Sequence, residues 1–186
     1  MNNRPLKNTK LNNEILPWQE FLKKHSACES GYLEASDKLP QQWWDMTERP
    51  DWMIWVLKKL PQYKEDKRIW IRIALVCAKE TVHLAKDPQQ RPQKAIEAVE
   101  QWLLDPSEEN RLKCRVVASA AKDYAASAAY ASAASAASAS ASTSASASYA
   151  YASASYAASA ASAVSIRKGI CEKIREIIPQ LVIGVI

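Results

Sequence analysis

Polar and apolar positions separate most cleanly between Lys64 and Lys86. Projected at 100° per residue from Arg68, the side chains of Arg68, Arg72, Lys79, His83 and Lys86 fall within about 60° of one another. Ile69, Trp70, Ile73, Cys77, Ala78, Val82 and Leu84 take most of the remaining circumference. The spacing therefore predicts a long helix that is largely buried and carries a narrow basic stripe. Glu80 breaks the pattern, because its direction falls between those of Ile69 and Ile73. A carboxylate on an apolar arc needs a cation or a donor beside it, and Arg91 on the next segment is the expected partner.

Prolines punctuate the chain on either side of this helix. Pro17 is expected to open a short docking helix, Trp18 to His25, with Trp18, Phe21 and Leu22 on one face. A second short helix is expected around Ala27 to Lys38, and Gln41 to Thr47 carries the paired Trp43 and Trp44. Pro50 starts a helix that Pro61 stops, and Pro92 starts another that runs to Leu104 and buries Ala95, Ile96, Val99, Trp102 and Leu103. Ser107 is a favourable N-cap for the helix that follows. Near the end, Ile166, Ile170, Ile174 and Ile177 share a face before Pro179.

Between Ala118 and Ser165 the pattern changes character. These 48 residues comprise 24 Ala, 15 Ser, 5 Tyr and 4 others, with no charge from Tyr124 to Ile166. Alanine leads every helix scale and serine costs only a few tenths of a kcal/mol more, so helix is expected. The alternation of Ser with small residues from Ser138 to Tyr149 also fits a silk-like strand, against which stand the poor strand propensity of Ala and the paired alanines on either side. A straight helix from Ser107 to Ser165 would measure about 88 Å at 1.5 Å per residue. A compact chain of this size has a radius of gyration near 16 Å, so a bend is expected between Ser140 and Ser148. The expected fold is all-α: a multi-helix bundle with a long Ala/Ser-rich helical hairpin. Residues 1–16 are read as a flexible N-terminus, 17–106 as a Trp-rich helical half, and 107–186 as Ala/Ser-rich helices and a C-terminal helix of the same domain.

Composition narrows the function. The chain has 186 residues, a net charge of +5, and only 3 Gly against 9 Pro, with neither a GxGxxG nor a Walker A pattern. Its size disfavours a multidomain enzyme. Cys28, Cys77, Cys114 and Cys171 are widely spaced and read as free buried thiols in a reducing compartment. His25 and Cys28 stand i, i+3 apart without further ligands nearby, so neither metal nor cofactor is expected. The polar, Asn-rich start contains no apolar run of the export type, which points to the cytoplasm. The uncharged tract is long enough to cross a bilayer but roughly a third of it is Ser, so insertion is not expected. An excess of five positive charges without a reading module gives no reason to expect nucleic acid as a partner.

Several local sequences resemble one known family. The segment around His25, Ala27, Cys28 and Glu29, the turn Arg49-Pro50-Asp51-Trp52, the long helix with Cys77 and His83, and the run RPQKAIEAVEQW from Arg91 to Trp102 precede a very Ala-rich region. In this order, over roughly residues 18 to 165, they resemble the immunity proteins of bacterial polymorphic toxin systems catalogued as immunity family five. The resemblance implies an all-α protein that binds and neutralises a cognate protein toxin without catalysis. Candidate binding residues are Arg68, Arg72, Lys79 and Glu80 of the helical stripe, and Trp43 and Trp44, since Trp and Arg are enriched at interface hot spots. Each has a plainer reading, a solvated face for the charges and core for the tryptophans. The alternative is an ice-binding protein, similar in composition alone to alanine-rich fish antifreeze proteins, working through Ser127, Ser132, Ser135, Ser138 and Thr143. An uncharged helical surface of that kind also makes self-association possible.

Overall fold

The computed structural model describes residues 9–64, 66–84, 89–122, 135–138, 140, 152, 156 and 164–183. Among the described residues every regular element is a helix, so the fold is all-α, as the pattern predicts. By packing, the chain forms a terminal unit, Met1–Thr47 with Ile178–Ile186, and a central unit, Glu48–Ile177. The compositional change near residue 106 does not coincide with either boundary.

The terminal unit is built from α1 (Thr9–Lys24), α2 (Glu29–Ala35) and α3 (Pro40–Met46). α1 corrects the expectation at its start: Pro17 lies inside the helix, and Thr9 to Leu16 are helical rather than part of a flexible terminus. An interior proline forgoes one helix hydrogen bond. Burial of Trp18, Phe21 and Leu22, each worth about 1.5–3 kcal/mol, offsets that loss. The Trp18 indole donates to the Ala35 carbonyl (3.0 Å) and Gln19 Nε2 to that of Ser36 (2.7 Å), which ties α1 to the end of α2. α1 ends on Ser26 in the left-handed region (φ 58°). There Ala27 N donates to Leu22 O (2.9 Å) and Ser26 N to Lys23 O (3.0 Å), the two bonds of a Schellman cap.

Trp18 stacks on Phe21 with centroids 5.5 Å apart, Trp43 leans on Trp18 at 5.5 Å, and Trp44 follows Trp43 at 6.4 Å. The segment after Ile177, which bends at Gln180, completes this aromatic core, with the Trp44 indole donating to the Ile178 carbonyl (3.0 Å).

The central unit is organised around α6 (Lys67–Thr81), which follows α4 (Pro50–Lys59) and α5 (Pro61–Lys64). Asp66 caps it, its carboxylate accepting from Ile69 N at 3.0 Å. Trp70, Ile71, Ile73, Ala74, Leu75, Cys77, Ala78 and Thr81 are buried. α6 packs against α7 (Arg91–Leu104) and α9 (Val164–Ile177), α9 also packs on α4, and α7 packs closely on α8 (Glu108–Lys122). Small residues allow the last pairing: Cys114 and Ala118 of α8 are buried, and the Cys114 thiol donates to the Ala98 carbonyl (3.3 Å). Ser107 caps α8 as its sequence predicts, with Asn110 N donating to its hydroxyl (3.4 Å).

Two further expectations are corrected, the burial of Val82 and Leu84 and that of Cys28. Leu84 is exposed and Val82 only half-buried, because α6 stops at Thr81 and a 3-10 turn, Val82–Leu84, follows. At three residues per turn that segment leaves the 100° progression that placed Leu84 on the apolar arc. Cys28 is exposed, unlike the buried Cys77, Cys114 and Cys171, because it stands outside α2 at its N-cap; all four are free thiols. Of the Ala/Ser tract, Ser135–Ser138, Ser140, Ala152 and Tyr156 are described and helical, and Ser135, Ala136, Ala137 and Ser140 are buried. The hairpin and the bend expected beyond Ser140 otherwise lie outside the described residues.

Candidate functional site

The charged stripe of α6 is the sequence-predicted feature that the structure sets out on a surface. Arg68, Arg72 and Lys79 are all exposed. α7 holds the two ends of the stripe, with Arg68 Nη2 donating to the Leu103 carbonyl (2.9 Å) and Lys79 paired with Glu100. These contacts restrict two long side chains, and Arg72 projects from the helix between them. His83 is exposed beyond the helix end, and Lys86 lies outside the described residues. The whole net charge resides in this unit: residues 48–177 hold 19 Lys and Arg against 14 Asp and Glu, whereas the terminal unit holds 6 against 6. The unit as a whole is thus positively charged, which favours an anionic partner.

Glu80 is not part of that surface. It is half-buried rather than buried, and its Oε2 would lie 3.1 Å from a Cβ built on Gly169 of α9. The expected ion pair with Arg91 is not formed among the described residues. Gly169 leaves open the space that the carboxylate fills, and partial exposure lets water share its solvation, which removes the need for a buried cation.

Trp43 and Trp44 are likewise withdrawn, at 2% and 0% exposure, so they build the terminal unit's core and present no aromatic surface. Of the alternative Ser/Thr surface, Ser135 is buried and Ser138 half-buried, while Ser127, Ser132 and Thr143 lie outside the described residues. A buried Ser135 cannot belong to an outward-facing hydroxyl array.

Lys67, next to the stripe, was not singled out by the helical projection. It is half-buried, with Nζ 4.8 Å above the Trp102 ring and donating to the Ser140 carbonyl (3.2 Å). Burial lowers its pKa below the ordinary lysine value, and Arg111 nearby adds to the shift. Its ring and carbonyl contacts mark it as a link between α6, α7 and the Ala/Ser tract. The signal available in the sequence was Asp66 just before it, a cap that fixes where α6 begins.

The three buried thiols are held in their protonated form. Burial raises the Cys77 thiol well above its usual range, and it pushes Cys171 up to about 12 although Arg175 opposes the shift. Cys114 is raised by burial too. Such thiols stay protonated and unreactive at neutral pH. No group of three or more His, Cys, Asp or Glu suited to a metal ion occurs among the described residues. No described helix is long and apolar enough to cross a membrane.

The all-α core from the α6 cap through α9 coincides with a known sequence family. A family of unknown function, DUF6931, matches residues 66–176, well over half of the chain. The chain belongs to that family. No curated protein and no solved structure matches it.

Proposed function

We propose that the central unit is a protein-binding module of the immunity type, which neutralises a cognate toxin by covering an acidic surface of it with the α6 stripe. The observation that carries this reading is the exposed Arg72 between Arg68 and Lys79, on a rigid helix within a unit that holds the entire +5 charge. Arginine suits such a role because its planar guanidinium pairs with carboxylates in a bidentate manner. Arg68 and Lys79, already restrained by α7, lose less side-chain entropy on binding than free side chains would. Glu80, Trp43 and Trp44 take no part, given where they lie.

The test uses the product of the neighbouring gene as the candidate toxin. Co-expression of the wild-type chain should restore growth, the double reversal R68E/R72E should abolish the rescue, and Arg72→Glu alone, which leaves the Arg68 bond to Leu103 intact, should weaken it without lowering the melting temperature. Binding measured with purified proteins should weaken as salt rises, as contacts between exposed charges do. Rescue that survives the double reversal would show that another surface does the binding.

A further inference from the structure

α8 turns one face inward and leaves the opposite face to solvent. Cys114 and Ala118 are buried on the side that packs on α7, whereas Leu112 and Val116, one turn apart, are 45% and 68% exposed. Ser119 and Ala120 continue the exposed stripe. The charges beside it are ordered along the helix: Glu108 and Glu109 open α8, and Lys113 and Arg115 follow within two turns, all four exposed. Within the chain, Lys113 pairs with Glu109 (2.7 Å) and Arg111 with Glu108. Solvent-exposed pairs of this kind are worth little individually, so they exchange partners at small cost.

We propose that this face of α8 is an interface between two copies of the chain, with the two α8 helices antiparallel about a two-fold axis near Leu112. The charge pattern selects a second copy as the occupant. Projected at 100° per residue from Leu112, Glu109 and Lys113 lie on one flank, at about 60° and 100°, and Glu108 and Arg115 on the other, at about 40° and 60°. A two-fold axis perpendicular to the pair of helices keeps each side chain on its own flank and reverses its order along the helix. At 1.5 Å per residue, Glu108 of one copy then comes level with Arg115 of the other to about 1.5 Å, and Glu109 with Lys113 to about 3 Å. Each flank thus sets carboxylate against cation twice, while Leu112 meets its own counterpart on the axis. Such self-complementarity is what an isologous interface requires. A parallel arrangement would instead set like charges side by side, which disfavours it. A single helix face about 22 Å long offers less than the roughly 800 Å² per partner of a standard interface, so the dimer is weak and forms with rising concentration.

Sedimentation equilibrium of the full chain tests the proposal. The wild-type mass should rise from 20.7 kDa towards twice that value as the concentration approaches about 1 mM. Glu108→Arg sets arginines against each other across the interface and Arg115→Glu sets glutamates, so either variant alone should stay at monomer mass. Mixed in equal amounts, the two should recover the doubled mass, because every pair across the interface is again opposite in sign. A wild-type chain that stays monomeric, a dimer that survives in either single variant, or a mixture that stays monomeric overturns the proposal. Leu112→Cys in a Cys28→Ser background tests the same register without altering charge, and decides the matter if a charge variant fails to fold. The three remaining cysteines are buried, so oxidation with diamide should link the chains only through position 112 and give a covalent dimer. Chains that stay unlinked overturn the proposal.

Discussion

Replacing Gly169 by Ala sets two effects of similar size against each other. Gly169 lies inside α9, where glycine costs about 0.5–1 kcal/mol relative to alanine through its backbone entropy. Opposing that gain, the new Cβ would lie 3.1 Å from Glu80 Oε2 and 3.7 Å from its Cδ. The crowded atom is the far end of a half-buried side chain, so a few tenths of an ångström of movement relieves it without shifting backbone. The propensity gain should win, and Gly169→Ala should stabilise the protein by about 0.5 kcal/mol. Urea denaturation followed by circular dichroism measures this directly. The double-mutant cycle with Glu80→Ala isolates the crowding: with the carboxylate gone, the same substitution should yield the full benefit of about 1 kcal/mol. The reasoning fails if Gly169→Ala destabilises by more than 1 kcal/mol in both backgrounds, since the obstacle would then be something other than Glu80.

Two further outcomes are expected. Ser26→Gly should stabilise the terminal unit by up to about 1 kcal/mol, because Ser26 holds a left-handed conformation that glycine adopts without a Cβ penalty, and a lowered melting temperature would count against that account. A thiol reagent at neutral pH should label Cys28 quickly and Cys77, Cys114 and Cys171 only at the rate of unfolding. For Cys171 the folded state holds its proton more tightly than the unfolded state, so its contribution to stability is fully present below the ordinary thiol value of 9.0. It should fall as the pH rises from there towards about 12, and denaturation midpoints across that range would reveal a flat profile if the thiol were not buried.

The helical period made α6 legible, including its exposed Arg68 and Arg72 and its buried Trp70, Ile73 and Cys77, because one face of one helix is a local property. Helix ends were harder to read. Pro17 signals a start by its own chemistry, yet neighbouring burial overrides that preference, and nothing in Val82-His83-Leu84 announces a change to three residues per turn. Trp43 and Trp44 fit a core or an interface equally well until their neighbours are known. The Glu80–Gly169 contact and the hold of Gln41 on Pro179 and Leu181 join residues far apart in sequence. No spacing rule reaches across such separations, and a lone glycine in α9 or a lone glutamine in α3 has the appearance of an ordinary surface choice.

The indole rings of Trp18, Trp43 and Trp44 form a chain with successive centroids 5.5 and 6.4 Å apart. At these separations an electronic excitation does not stay on the ring that absorbs it. Light absorbed by one indole is shared or passed along the three, so the near-ultraviolet dichroism of the terminal unit is a collective signal rather than a sum of independent chromophores. Replacing any one of these rings should alter the optical bands of the other two. Displacement of the segment bonded to Trp44 would be visible spectroscopically without any attached dye.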